Sequence, residues 1–172
     1  PVNYLTFRSL ISRFIRPKRS SYDLYWDFVK EEQDYLESII DNSSINKSDI
    51  FVVHSVNCIC KRKSGDNLVS RDPALAELNN CLPFVKYAIQ FVRPRIIISM
   101  GATALNQFYP QYKFLDYIGE TVSYDGIKAI ITYSVNDLFI LSERIDSEKV
   151  EELVYQTIDS FSEAQNYINI IK

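Results

Sequence analysis

Apolar positions recur along this chain with two different periods. Between residues 22 and 40, Tyr25, Phe28, Val29, Tyr35, Leu36, Ile39 and Ile40 fall at roughly helical spacing and predict an amphipathic helix. The polar cluster Asp41-Asn42-Ser43-Ser44 ends it. Ile50 to Val56 is a nearly continuous apolar run rich in β-branched residues, which predicts a strand covered on both faces. Residues 59–71 are mostly polar, contain Gly65 and read as a loop. Asp72 as N-cap and Pro73 as first helical residue then open a helix. It aligns Leu75, Leu78, Leu82, Val85, Ala88, Ile89 and Val92 on one face until Pro94 stops it. Ile96 to Met100 is a second buried strand, Gly101 turns the chain, and Ala102 to Phe108 starts another helix. Thr121 to Tyr124 and Ile127 to Tyr133 flank Asp125-Gly126, a turn signal between two strands. Ser147 to Ile171 is a long amphipathic helix with Val150, Leu153, Val154, Ile158, Phe161 and Ile168 inward.

Strands alternating with helices predict an α/β fold around a mostly parallel sheet, in one domain spanning residues 1–172. A composition of 47% hydrophobic and 24% charged residues is that of a soluble globular chain. No apolar run approaches the roughly 18 residues of a membrane span, and no apolar leader with a cleavage site is visible. The expectation is no membrane partner. Three cysteines, an odd count without secretory context, point to a reducing cytoplasm. The net charge of −3 argues against a strongly basic nucleic-acid binder, but it averages over a pattern. Residues 1–22 carry Arg8, Arg13, Arg16, Lys18 and Arg19 with no acid, and Lys61, Arg62, Lys63 and Arg71 form a second basic stretch. Both stretches suit phosphate contact, and both suit a solvated surface.

In an open parallel sheet, ligands bind outside the carboxyl ends of the strands. Three predicted strands end in residues with usable chemistry: His54 to Cys58, Gly101, and Tyr133-Ser134-Val135-Asn136. His54, the sole histidine, is either a donor to a ligand or a buried imidazole bonded to the backbone. Gly101-Ala102-Thr103 opens a helix, so it is either an anion-binding turn or simply a close-packed one. No dinucleotide fingerprint, Walker loop or zinc spacing occurs.

Two segments carry a resemblance. Arg71-Asp72-Pro73-Ala74-Leu75-Ala76-Glu77-Leu78-Asn79-Asn80-Cys81 and the run from Pro94 to Leu105 resemble the central block of the uracil-DNA glycosylase superfamily, closest to its family 4 iron-sulfur branch. The similarity spans roughly residues 44–135, with Ser44 to Cys58 and Ile131 to Asn136 matching flanking motifs. The resemblance implies a three-layer αβα fold around a mostly parallel four-stranded sheet. It further implies hydrolysis of the N-glycosidic bond of a uracil flipped out of DNA, in base-excision repair, by a monomer. On this template His54 and Ser134 take the catalytic positions. Asn57, Gly101, Thr103, Tyr133 and Asn136 are then expected to face DNA, and the charge pattern, independent of the template, adds Arg62 and Lys63 as candidate phosphate contacts. Cys58 and Cys81 fit two ligands of a [4Fe-4S] cluster, although they are equally readable as small buried hydrophobes.

The departures from the template are as informative. The early Gly-Glu-x-Pro-Gly type loop is absent and expected before Pro1. The asparagine that reads the base falls on His54, the late histidine on Ser134, and its following Pro-Ser on Val135-Asn136. The alternative expectation is therefore a catalytically degenerate member that binds DNA or protein through the same rim. A nucleotide-binding α/β domain outside the superfamily is the least favoured reading, for want of a phosphate loop.

Overall fold

The computed structural model describes residues 4–7, 33–58, 60–142 and 144–170. The basic residues from Arg8 to Arg19 and the first half of the predicted helix at 22–40 lie outside these. In chain order the elements are strand β1 (Tyr4–Phe7), helix α1 (33–42), strands β2 (Ile50–Val53), β3 (Lys61–Ser64) and β4 (Asn67–Ser70), and helix α2 (Leu75–Val92). Strand β5 (Ile96–Met100), helix α3 (Gly101–Phe108), strands β6 (Thr121–Tyr124) and β7 (Ile127–Thr132), and helices α4 (Val135–Ser142) and α5 (Ser147–Ile170) follow.

One five-stranded sheet has the order β2-β1-β5-β7-β6. Its first four strands are mutually parallel, and β6 pairs antiparallel with β7 through the Asp125-Gly126 turn. The α/β class agrees with the sequence, but the sheet is mixed and has five strands where four were expected. The added strand is β1, which pairs in parallel between β2 and β5 and which the apolar pattern did not mark, while the expected Asp125-Gly126 hairpin supplies the antiparallel edge.

All five residues of β5 are buried, and alternation sends them to two cores. Ile96, Ile98, Met100 and Ile130 pack with Leu36 and Ile39 of α1, Leu138 of α4 and Phe161, Ala164 and Ile168 of α5. Ile97, Ala129 and Ile131 pack on the opposite face with Val85 and Ile89 of α2 and Ala104 and Leu105 of α3. Each buried aliphatic side chain stabilises this arrangement by about 1.5–3 kcal/mol. Among the described residues no helix is long and apolar enough to cross a membrane.

Four local expectations are corrected. Strand β2 stops at Val53 and lies at the sheet edge with Phe51 and Val52 exposed, so its apolar run is not covered on both faces. Residues 61–70 form an antiparallel hairpin instead of a loop. Gly65, at φ +61°, provides the left-handed residue this tight turn needs. Helix α2 begins at Leu75 rather than Pro73, because the Glu77 carboxylate accepts the Ala74 N–H at 2.7 Å and fixes the first turn there. Finally, β7 ends at Thr132 rather than Tyr133, and Val135–Ser142 form helix α4, which the apolar pattern did not mark.

Candidate functional site

Parallel strands share one carboxyl edge. His54 follows β2, Gly101 follows β5, and Tyr133 to Asn136 follow β7, so the three segments lie along that edge. Strand β1 lies between β2 and β5, and its carboxyl end at Phe7 falls between theirs on the same edge. From β1 the chain crosses to one side to reach β2 and then to the other side to reach β5. The order reverses between β1 and β5, and this is where an open α/β sheet forms its ligand crevice. At about 4.8 Å per strand spacing, the ends of β2 and β5 stand about 10 Å apart across β1.

The other half of the edge is filled. A Cβ added to Gly101 would stand 2.9 Å from Ser134 Cβ and 3.1 Å from both Ser134 Oγ and Asp137 Oδ2. Gly101 also has φ +84°, so the β5–α3 turn needs glycine for both conformation and space. The close-packed reading of this turn accounts for it. No base fits between Gly101 and Ser134, which shifts the expected cleft toward β1.

Ser134 caps helix α4. Its N–H donates to Asp137 Oδ2 at 2.9 Å, and its hydroxyl donates to the same oxygen at 2.7 Å while accepting the Asp137 N–H at 3.1 Å. This is the reciprocal cap that a Ser-x-x-acid pattern produces. A hydroxyl has one proton, and here Asp137 takes it. Tyr133 stands edge-on to Phe114, with ring centroids 6.0 Å apart. Its phenol is pushed above the ordinary range by burial, and further by the Asp137 charge. Asn136 and Thr103 are half-buried in the first turns of α4 and α3.

On the β2 side, His54 is only 7% exposed and Ser55 is buried beside it, while Asn57 is half-buried and Cys58 exposed. A residue that sequence reasoning missed positions this loop. Gln107, buried in α3, donates from Nε2 to Ser55 O at 2.6 Å and to Leu78 O at 3.1 Å. It ties the rim loop to both α2 and α3. Nothing in the local pattern marks it, since a glutamine near the end of a short helix reads as surface. Asp137 was missed too, although the Ser-x-x-Asp spacing was visible. Arg62 and Lys63 sit on the β3–β4 ribbon, between the end of β2 and the start of α2.

A sequence model of the uracil DNA glycosylase superfamily matches residues 18–156. The chain belongs to the uracil DNA glycosylase superfamily. No curated protein matches the sequence.

Within this superfamily the iron-sulfur branch demands four thiolates, and the residues present do not supply them. The chain has three cysteines: Cys58 exposed, Cys60 buried and Cys81 half-buried on α2. Burial pushes the Cys60 thiol up, and the nearby Glu77 carboxylate adds to this, so it stays protonated at neutral pH. Its Sγ points at Cys58 O, 3.9 Å away. Among the described residues no three His, Cys, Asp or Glu side chains are grouped to hold a metal ion. The donor set does not fit a four-thiolate cluster.

A cavity of about 360 Å³ lies between α1 and α5, lined by Tyr35, Ile39, Val150, Val154 and Ile158 among others, and by none of the rim residues.

Proposed function

We propose that this uracil-DNA glycosylase-like chain binds DNA, receives an unstacked base in the crevice over β1, and cleaves the N-glycosidic bond of uracil only slowly. Membership of the superfamily supports the DNA substrate. The cap at the rim carries the rest of the reading. Excision requires the base to leave as an anion that faces preorganised donors. At the position of the family's late histidine stands Ser134, whose proton is committed to Asp137. The same pair sets a carboxylate beside Gly101, where negative charge opposes a departing anion. Losing one donor of this kind costs about 10²–10³ in rate. His54 remains at the rim to read the polar edge of the base.

A single-turnover assay tests this: protein in excess over an oligonucleotide with one uracil, abasic sites revealed by alkali. The expected result is little abasic product, with no further decrease in Ser134→Ala. That variant is expected to lose about 1 kcal/mol of stability, the usual cost of a deleted cap. Rapid excision that Ser134→Ala abolishes would overturn the proposal. A second reading rests on His54, which is buried just after the end of β2, on the side of β1 away from the filled Gly101–Ser134 contact. It makes His54 the donor to the departing base, and rapid excision lost in His54→Ala but retained in Ser134→Ala would select it.

A further inference from the structure

The β3–β4 ribbon belongs to neither the main sheet nor either core. All four residues of β3 are exposed, and Leu68 on β4 is 66% exposed. Such a blade buries too little apolar surface to be explained by stability. Its first strand places three cations in succession, Lys61, Arg62 and Lys63, in a chain whose net charge is −3. Among the described residues none of the three side chains forms an ion pair. The register pairs Lys63 with Leu68 and Arg62 with Val69. Alternation therefore puts Lys61, Lys63 and Leu68 on one face and Arg62 and Val69 on the other. Positive charge flanks the blade on both sides.

The stem of the ribbon is anchored. Arg71 donates its N–H to Cys60 O at 3.0 Å and its Nε to Lys61 O at 3.2 Å. Its two terminal nitrogens each lie 2.7 Å from a Glu77 oxygen. Glu77 also holds the Ala74 N–H at the start of α2. The Arg71 guanidinium, with the Ala74 N–H, pulls the Glu77 carboxyl down to about 2, so it stays ionised at any physiological pH. This network joins the ribbon to the N-terminal end of α2. Because the ribbon is inserted between the carboxyl end of β2 and that helix start, it stands at the carboxyl edge of the sheet.

We propose that the ribbon is an arm that grips the sugar–phosphate backbone of the DNA whose base enters the crevice. The inference rests on the DNA reading above and adds where the strand is held. Strands of four residues extend about 13 Å, long enough for the cations of β3 to lie along neighbouring phosphates of one DNA strand. Asp66, in the turn, repels phosphate, so contact runs along the stem and not the tip. The contact is independent of sequence, because cations on a backbone read charge and spacing only.

The test is a triple substitution, Lys61→Gln, Arg62→Gln and Lys63→Gln, titrated with a fluorescent uracil-containing duplex over a range of salt. The thermal midpoint is expected to stay within a degree or two of the parent value, since the residues are exposed. The slope of log affinity against log salt is expected to fall by about 2–3, with affinity at least tenfold weaker at about 0.1 M salt. Unchanged slope and affinity in the variant, with normal binding by the parent, overturn the arm alone. A parent that binds no DNA overturns the DNA reading and the arm with it. An equal loss of binding to polyglutamate, with no preference for DNA, also overturns the arm.

Discussion

A Gln107→Glu protein is expected to be about 3–5 kcal/mol less stable than the parent at neutral pH, the range for an uncompensated buried charge. It is also expected to recover part of that loss in acid. Gln107 is 2% exposed, and its amide nitrogen faces the carbonyl oxygens of Ser55 and Leu78. A carboxylate there would oppose two acceptors with two more acceptors. Burial and this repulsion raise the folded-state pKa of the new group above its unfolded value. The sign follows: stability is retained below the unfolded pKa, where both states are protonated, and is lost as pH rises above it. Urea denaturation at several pH values measures the effect. A penalty that does not change with pH would show that residue 107 is not held against those carbonyls.

Gly101→Ala is expected to cost about 3 kcal/mol, from left-handed strain and overpacking together. The new methyl would meet Ser134 Cβ at 2.9 Å in a backbone conformation that L-residues rarely adopt. The steric part can be separated from the backbone part. Adding Ser134→Gly removes the clashing Cβ, and glycine is itself tolerated at an N-cap with a loss of only a few tenths of a kcal/mol. The double variant is expected to regain about 1–2 kcal/mol relative to the sum of the singles, the scale typical of residues in contact. Strict additivity would mean that α4 does not pack on the β5–α3 turn as described.

Much of the fold was legible because it depends on long-range burial expressed as simple patterns. Ile96 to Met100 reads as a buried strand, and all five residues are buried. Asp125-Gly126 marks the hairpin, and the apolar stripe from Leu153 to Ile168 marks α5. What escaped detection lacks such a stripe. The β3–β4 ribbon packs on no core, so its sequence has no alternation to read. Helix α4 has only eight residues and starts just after β7, too short to show an apolar stripe of its own. The start of α2 was displaced because a carboxylate three residues inside the helix, not Asp72, caps it.

The site was legible to the same degree. That His54, Gly101 and Ser134 would share an edge followed from parallel topology alone. Where the strand order reverses along that edge did not, because strand order is set by tertiary pairing, and the position of β1 decides it. The role of Ser134 was hidden by its alignment with a catalytic position. Its partner Asp137 is only three residues away, and the pair satisfies itself before any ligand arrives.

Photocross-linking locates the unstacked base. DNA with 5-iodouracil at the uracil position is irradiated with the full chain, and the adducts are mapped to residues. Adducts are expected in the His54 to Cys58 loop or in the first turn of α3, the two segments that flank the end of β1. Adducts confined to α5 or to the β6 edge would put the base elsewhere and overturn the proposed site.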